Sequence, residues 1–231
     1  MKLKSFGCSF IFGSELADDG RGYLSAKPSQ FTWPALLAQD LNYNYECYAR
    51  AGAGNLRILE KILAQTTVED PAIFVIGWTW MDRFDYTVNP TEPVIYTELI
   101  RAEMIGNETW KTVRPGDSDS RAHNYYRDLH SEYRDKITNL IYIKTAIDTL
   151  KQKNIPFIMT GIDENLFDTQ WHITAAVRSL QESIQPYMTR FEGKTFLEYS
   201  KEKGFPISGT MHPLESAHKS AFELIKSYNL A

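Results

Sequence analysis

Continuously apolar stretches alternate along the chain with stretches whose apolar residues recur at helical spacing. This pattern predicts strands over residues 2–7, 44–49, 72–76 and 155–159, and helices over about 34–41, 56–63, 124–152, 170–188 and 214–228. The run Ala72-Ile73-Phe74-Val75-Ile76 is apolar throughout, as is typical of a central strand in a parallel sheet. The alternation predicts a three-layer α/β/α fold with a parallel sheet of about five strands, the fifth at 195–197.

Residues 84–123 interrupt this alternation. They contain the turn-forming pairs Asn89-Pro90, Glu92-Pro93 and Pro115-Gly116, followed by a run of aspartate and serine over 117–120. We interpret them as an insertion into a single domain that spans residues 1–231. Two interpretations of the insertion remain open: a lid or wall beside a substrate, or a simple surface excursion.

Composition and charge exclude several classes of protein. The 231 residues carry a formal net charge of −4 with a pI of about 5.8, so the chain lacks the excess of basic residues that is typical of nucleic-acid-binding proteins. No apolar stretch is long enough for a transmembrane helix, and the N-terminus lacks the apolar core of a secretory signal. Cys8 and Cys47 are too few for a disulfide framework. A cytoplasmic protein without membrane contact is therefore expected, and its oligomeric state is left open.

Chemistry-bearing residues follow the predicted strands. Ser9 follows the first strand, two glycine-rich turns follow at 52–55 and 77–79, Asp163 follows the fourth strand, and His212 precedes the last helix. A parallel sheet brings the carboxyl ends of its strands to one edge. A hydroxyl, an imidazole and unencumbered backbone amides are the nucleophile, general base and oxyanion donors of acyl transfer. This chemistry needs no cofactor, and the scattered histidines lack metal-ligand spacing.

Four short blocks together resemble the SGNH (GDSL-like) hydrolase family. Gly7-Cys8-Ser9-Phe10 resembles its Gly-Asp-Ser-Leu block, 51–55 its second block, 77–79 its Gly-x-Asn block, and His212-Pro213 its final Asp-x-x-His-Pro block. The resemblance implies a flavodoxin-like fold, with Ser9 as nucleophile and His212 as general base. It also implies an oxyanion hole formed by Ser9, Gly52 and Thr79.

The chain departs from the family pattern at two positions. Thr79 stands where the family has asparagine, and Gly209 stands where it has aspartate. His212 then needs another partner for Nδ1, and we consider Asp163 or a backbone carbonyl near Ser208. The candidate substrate-binding residues are Asn55, Trp78, Trp80 and Arg83. For Arg83, a surface ion pair with Asp82 or Asp85 is the alternative.

The expected reaction is hydrolysis of a carboxylic ester through an acyl-enzyme. A small acyl or acetyl group on a carbohydrate is the family-level expectation, so the partner would be a small-molecule or glycan ester. Two alternatives remain open. One is a catalytically silent module that uses the same cleft to bind a glycan or a protein, an alternative that Gly209 and Thr79 keep open. The other is an acyltransferase that uses the same Ser-His pair.

Overall fold

The computed structural model describes residues 1–18, 27–89, 103–105 and 108–228. The strands are β1 (Lys2–Gly7), β2 (Asn44–Cys47), β3 (Ala72–Trp78), β4 (Phe84–Val88), β5 (Glu103–Ile105), β6 (Glu108–Val113) and β7 (Phe157–Gly161). The α-helices are α1 (Ser9–Phe12), α2 (Trp33–Asp40), α3 (Asn55–Gln65), α4 (Ser120–Asp128), α5 (Glu132–Gln152), α6 (Ala175–Ile184), α7 (Phe196–Glu202) and α8 (Glu215–Ser227). No helix in these ranges is long and apolar enough to cross a membrane.

The main sheet is parallel and has the strand order β2-β1-β3-β7. In its register, Gly7 on β1 pairs with Gly77 on β3, and Trp78 pairs with Gly161 on β7. The carboxyl ends of β1, β3 and β7 therefore lie side by side at one edge. This arrangement confirms the predicted parallel α/β sheet and fixes the order in which the candidate residues are presented.

The fifth strand predicted at 195–197 is wrong, because those residues begin a helix. Thr195 is the N-cap of α7, and its side chain and that of Glu198 form a reciprocal capping box. Beyond β7, the described chain adds to the sheet only an isolated bridge between Met159 and Met188. The parallel sheet thus has four strands in the part of the chain that the structure describes.

Apolar side chains cover both faces of the parallel sheet, which confirms the three layers. On β3, Val75 packs into one cluster while Phe74 and Ile76 pack into the other, as the alternation of side chains along a strand requires. The first cluster is completed by α2, α7 and α8, and the second by α3, α5 and α6. Each helix layer therefore covers one face of the parallel sheet, and the carboxyl ends of the strands are left for the candidate functional residues.

The insertion forms a small antiparallel sheet of order β4-β6-β5, followed by α4. The single helix predicted over 124–152 is wrong: α4 ends at Asp128 and α5 begins at Glu132. Ser131 caps α5 by accepting a hydrogen bond from the Arg134 N–H, which fixes the break. The predicted turn residues at 90 and 92–93 lie outside the described residues.

Candidate active site

Ser9 lies at the carboxyl end of β1, where the strand passes directly into the single turn of α1. The side chain is buried at the first residue of this helix. Gly13 ends the turn in a left-handed conformation at φ 82°, and its N–H donates to the Ser9 carbonyl. A side chain at residue 13 would also collide with Ser29 and Thr32, so glycine is required there. The turn at Gly13 therefore directs the residues that follow it back toward Ser9.

His212 contacts Ser9 from the other end of the sequence. Its Nε2 lies 2.8 Å from Ser9 Oγ, across a sequence separation of 203 residues. A turn before α8 holds the imidazole: the Ser208 N–H donates to the His212 carbonyl, and the His212 N–H donates to Ser208 Oγ. Phe10 packs edge-on against the ring, with centroids 5.4 Å apart. The structure therefore brings together the two residues that the sequence proposed as nucleophile and base.

Glu15 completes a chain of hydrogen bonds that sequence reasoning missed. Its Oε2 lies 2.5 Å from His212 Nδ1, and the hydroxyls of Ser208 and Thr210 donate to the same oxygen. Burial acts to raise the pKa of Glu15, but these hydrogen bonds and the nearby imidazole outweigh it and lower the pKa to about 2. Glu15 is therefore an ionised carboxylate placed to fix the orientation of the His212 ring.

Asp163 does not contact His212 in the structure, contrary to the expectation from sequence. Its carboxylate accepts hydrogen bonds from the backbone N–H groups of Met81 and Asn165 and begins a short 3₁₀ helix. Burial raises the pKa of this carboxyl. Asp163 follows β7, two strands from the strand that carries Ser9, and Glu15 occupies the position beside Nδ1 instead.

Gly209 leaves space where the family pattern has an aspartate. A Cβ atom built at this residue would have no non-neighbouring atom of the described chain within 4 Å, so the backbone position does not exclude a side chain. Glu15 lies only six residues after Ser9, in a polar loop with no periodicity, and no local pattern in the sequence marks it as the partner of a histidine near the other terminus.

Thr79 follows β3 directly, and Gly77 of that strand pairs with Gly7 at the end of β1. Its backbone N–H donates to Asn55 Oδ1, and its carbonyl accepts from Asn55 Nδ2. Its hydroxyl is buried and has no hydrogen-bond partner among the described residues. Gly52 is buried in the turn that follows β2. The strands that lead to Gly52 and Thr79 therefore lie on either side of β1, which leads to Ser9.

Asp85 and Arg83 of the insertion hold the loop that contains Gly52. The Asp85 carboxylate accepts from the N–H groups of Gly54 and Arg57 at 3.0 and 2.9 Å, which caps the N-terminus of α3 from outside the helix. Arg83 Nη1 donates to the Ala53 carbonyl at 2.9 Å. The guanidinium also lies over the Trp80 ring, 4.8 Å from its centroid, and its charge counteracts the rise in the Asp82 pKa that burial causes. A role of Arg83 in substrate binding stays a prediction.

Of the remaining candidate substrate contacts, Trp80 lines a cavity, whereas Asn55 and Trp78 are buried. Asn55 is buried and also donates to Asn139, so its amide is fully used inside the fold. Trp78 is buried in the core below the site. Trp80 is half-buried and packs edge-on against Phe10, with ring centroids 5.5 Å apart. The expectation of substrate contact is therefore wrong for Asn55 and Trp78.

A cavity of about 640 Å³ lies beyond the carboxyl ends of β3 and β7. Its wall includes residues 115–117 of the insertion together with aromatic and acidic side chains. The most informative of these are Trp80, Asp82, Tyr126, His130, Asp163 and Trp171. In the ranges that the structure describes, no group of three or more histidine, cysteine, aspartate or glutamate side chains is arranged to hold a metal ion.

No protein-family model matches the chain, and no curated protein matches its sequence. Solved structures do match. TesA aligns over the whole of both chains with a TM-score of 0.54 and 14% identity. The chain shares its α/β fold with TesA.

Two further structures align with lower scores. A protein described as lipolytic and of the G-D-S-L family, from Desulfitobacterium hafniense, covers 98% of both chains at 12% identity and a TM-score of 0.45. The esterase EstA from Pseudoalteromonas sp. covers 98% of this chain and 97% of its own, at 9% identity and a TM-score of 0.49. At such identities the similarity concerns the fold, so the activity has to be argued from the site.

Proposed function

We propose that the protein is a serine hydrolase that cleaves a carboxylic ester through an acyl-enzyme. The observation that carries this proposal is the continuous chain of hydrogen bonds from Ser9 Oγ through His212 to Glu15. A serine hydroxyl is almost fully protonated near neutral pH and needs a base within hydrogen-bond reach. His212 meets that requirement at 2.8 Å, and Glu15 holds the opposite ring nitrogen.

In the acylation step, Ser9 Oγ attacks the ester carbonyl while His212 Nε2 accepts the serine proton. The imidazolium that forms is stabilised by the ionised carboxylate at Nδ1. His212 then returns the proton to the departing alcohol as the acyl group remains on Ser9. In the second step His212 removes a proton from water as the water oxygen attacks the acyl carbonyl. The bond to Ser9 Oγ then breaks, His212 returns the proton to that oxygen, and the acid is released.

The negative charge that develops on the carbonyl oxygen needs donors fixed about 3 Å away, each worth roughly 3–4 kcal/mol. We assign this role to the Ser9 N–H at the start of α1, the Gly52 N–H and the Thr79 hydroxyl. The unpartnered state of that hydroxyl in the described structure supports the assignment, because a buried donor without an acceptor is costly unless a ligand satisfies it. Thr79 would then replace the asparagine side chain of the family pattern.

A covalent probe tests the proposal directly. We expect a fluorophosphonate to label the wild-type protein at Ser9 and short-chain p-nitrophenyl esters to be hydrolysed. Both activities should be lost in Ser9→Ala and reduced at least a hundredfold in His212→Ala. Ser183→Ala, which changes a hydroxyl that bonds within α6, should behave as wild type.

The alternatives give different results in the same assay. Labelling with slow ester hydrolysis that an added alcohol or amine acceptor accelerates would indicate an acyltransferase. A folded wild-type protein that neither takes the label nor turns over esters would refute the hydrolase proposal and leave a binding module on the same fold.

A further inference from the structure

The side chain of Asn55 holds both peptide groups of Thr79. Asn55 is the first residue of α3, and its Oδ1 accepts a hydrogen bond from the Thr79 N–H at 2.8 Å. Its Nδ2 donates to the Thr79 carbonyl at 3.0 Å. Thr79 follows the last residue of β3, where the pairing with β7 ends at Trp78 and Gly161. The asparagine amide therefore continues the hydrogen bonding of the strand by one residue and restrains the backbone of Thr79.

Asn139 on α5 determines which way the Asn55 amide points. Asn139 Nδ2 donates to the carbonyls of Met81 and Asp135 at 2.9 and 2.7 Å, and only the amino end of an asparagine amide can donate. Asn139 Oδ1 is therefore the acceptor that faces Asn55 Nδ2, at 2.7 Å. Asn55 Oδ1 is then left for the Thr79 N–H. Because both asparagines are buried and a reversed amide would place two acceptors against each other, the pair has a single orientation.

The hydroxyl of Thr79 stands apart from this network. Its oxygen is buried and has no hydrogen-bond partner among the residues that the structure describes, although the N–H and the carbonyl of the same residue are both bonded. Most buried hydroxyls have a partner, so a hydroxyl that is held without one points to an atom of a ligand. Threonine is β-branched and its side chain has few rotamers, so the direction of the hydroxyl follows from the backbone that Asn55 restrains.

An oxyanion donor has to be placed accurately. It acts at about 2.7–3.1 Å from the charged oxygen, and a displacement of about 1 Å removes most of its effect. A threonine side chain is also one bond shorter than the asparagine of the family pattern, so its reach depends more closely on the position of its backbone. The two hydrogen bonds from Asn55 supply that restraint beyond the last paired residue of β3.

We propose that Asn55, oriented by Asn139, is a positioning residue that holds the Thr79 hydroxyl in place as an oxyanion donor. The inference rests on the proposed hydrolase function, because the hydroxyl acts on the negative charge that develops on the ester carbonyl. Asn55 acts through Thr79, since its amide atoms are engaged with Thr79 and Asn139. The interaction that it supports forms in the transition state, so its loss should lower kcat and leave KM nearly unchanged.

The test is a double-mutant cycle that measures hydrolysis of p-nitrophenyl acetate. Thr79→Val removes the hydroxyl and keeps the shape of the side chain, and we expect kcat to fall about a hundredfold with KM within about threefold of wild type. Asn55→Ala removes the restraint and should lower kcat about tenfold or more. In the double variant kcat should equal that of Thr79→Val alone, because the group that Asn55 positions is no longer present. Thr79→Ser keeps a hydroxyl and should retain most of the activity.

Gln181→Ala is the matched control. Gln181 is a buried amide whose Nε2 donates to the carbonyls of Leu166 and Asp168, so the substitution removes a similar restraint elsewhere in the fold. We expect it to lower Tm and to leave the kcat of the folded protein unchanged. Asn139→Ala provides a second cycle that does not depend on the folding of Asn55→Ala. It should lower kcat by a smaller factor, and this loss should again disappear in the Thr79→Val background.

The outcomes separate the inference from the proposed function. Equal proportional losses from Asn55→Ala in the wild-type and Thr79→Val backgrounds would show that Asn55 supports the fold alone, which would overturn the inference and leave the hydrolase function intact. Full activity in Thr79→Val would also overturn it, without any need for an Asn55 variant to fold. A wild-type protein that neither takes the fluorophosphonate label at Ser9 nor hydrolyses the ester would refute the hydrolase function, and the inference with it.

Discussion

Replacing Glu15 by glutamine tests the least expected feature of the site. The substitution keeps the size of the side chain and removes the charge beside His212 Nδ1. In the folded protein the carboxylate accepts from three donors at once: the His212 ring and the hydroxyls of Ser208 and Thr210. The His212 share of this interaction is the part that strengthens when the imidazole becomes charged, so it is the part that catalysis uses.

The size of the effect follows from the carboxyl group itself. Its pKa falls from the usual 4.5 to about 2, which at 1.36 kcal/mol for each pKa unit corresponds to roughly 3 kcal/mol of favourable interaction. Glu15 has 40% of its side chain exposed, and solvent screening together with the sharing among three donors reduces the His212 part to about 1–2 kcal/mol. Since about 1.4 kcal/mol is a factor of ten in rate, kcat should fall roughly 5- to 30-fold.

The assay is steady-state hydrolysis of p-nitrophenyl acetate by wild type and Glu15→Gln. We expect kcat to fall while KM stays within about twofold, because the lost interaction acts on the imidazolium and not on bound substrate. Thr210 Oγ1 remains 2.9 Å from Nδ1 and should preserve residual activity. Glu215→Gln is the matched control, since that carboxylate holds the Ala17 N–H in the same loop. Full activity in Glu15→Gln, or an equal loss in the control, would refute the assigned role.

Three further predictions concern stability. Because the folded pKa of Glu15 lies below its unfolded value, the ionised carboxylate stabilises the protein above about pH 4.5, and this stabilisation is lost toward pH 2. In urea unfolding, the difference in free energy of unfolding between wild type and Glu15→Gln should therefore vanish near pH 2, and a difference that does not change with pH would contradict this. Asp85→Ala removes the buried cap of α3 and should cost about 2–4 kcal/mol in urea unfolding, whereas exposed Asp148→Ala should cost under about 0.5. Gly54→Ala places a methyl group 2.6 Å from Asp85 Oδ2 and should lower Tm by several degrees. An unchanged Tm would show that the loop can move aside without an energetic cost.

The parallel sheet could be predicted from the sequence for a physical reason. Apolar runs that are buried on both faces are continuous in sequence, so the central strands are visible without any knowledge of their partners. The carboxyl ends of parallel strands share an edge, which accounts for the position of Ser9 after β1. His212 follows no strand and reaches Ser9 from the turn before α8, so its position was implied by the family resemblance and not by the topology of the sheet.

Local hydrogen bonding decided the features that the sequence reasoning missed. Thr195 and Glu198 form a capping box, which converts an apolar triplet from an expected strand into the start of α7. Ser131 caps α5 and divides an expected single helix. Both residues are capping signals in the sequence, yet the longer-range apolar pattern points the other way at each position.

Glu15 shows why the acid of such a site is harder to predict than its nucleophile. Gly13 closes the turn of α1, and this places Glu15 and Ser9 on one short segment whose internal geometry is set by a single hydrogen-bonded turn. The loop before α8 then needs to supply only the imidazole and the two hydroxyls that hold the carboxylate. An aspartate at residue 209 would tie the acid to the histidine; a glutamate at residue 15 ties it to the nucleophile instead. Either attachment satisfies the same electrostatic requirement at Nδ1, so the chemistry constrains the position of the charge and leaves its place in the sequence free.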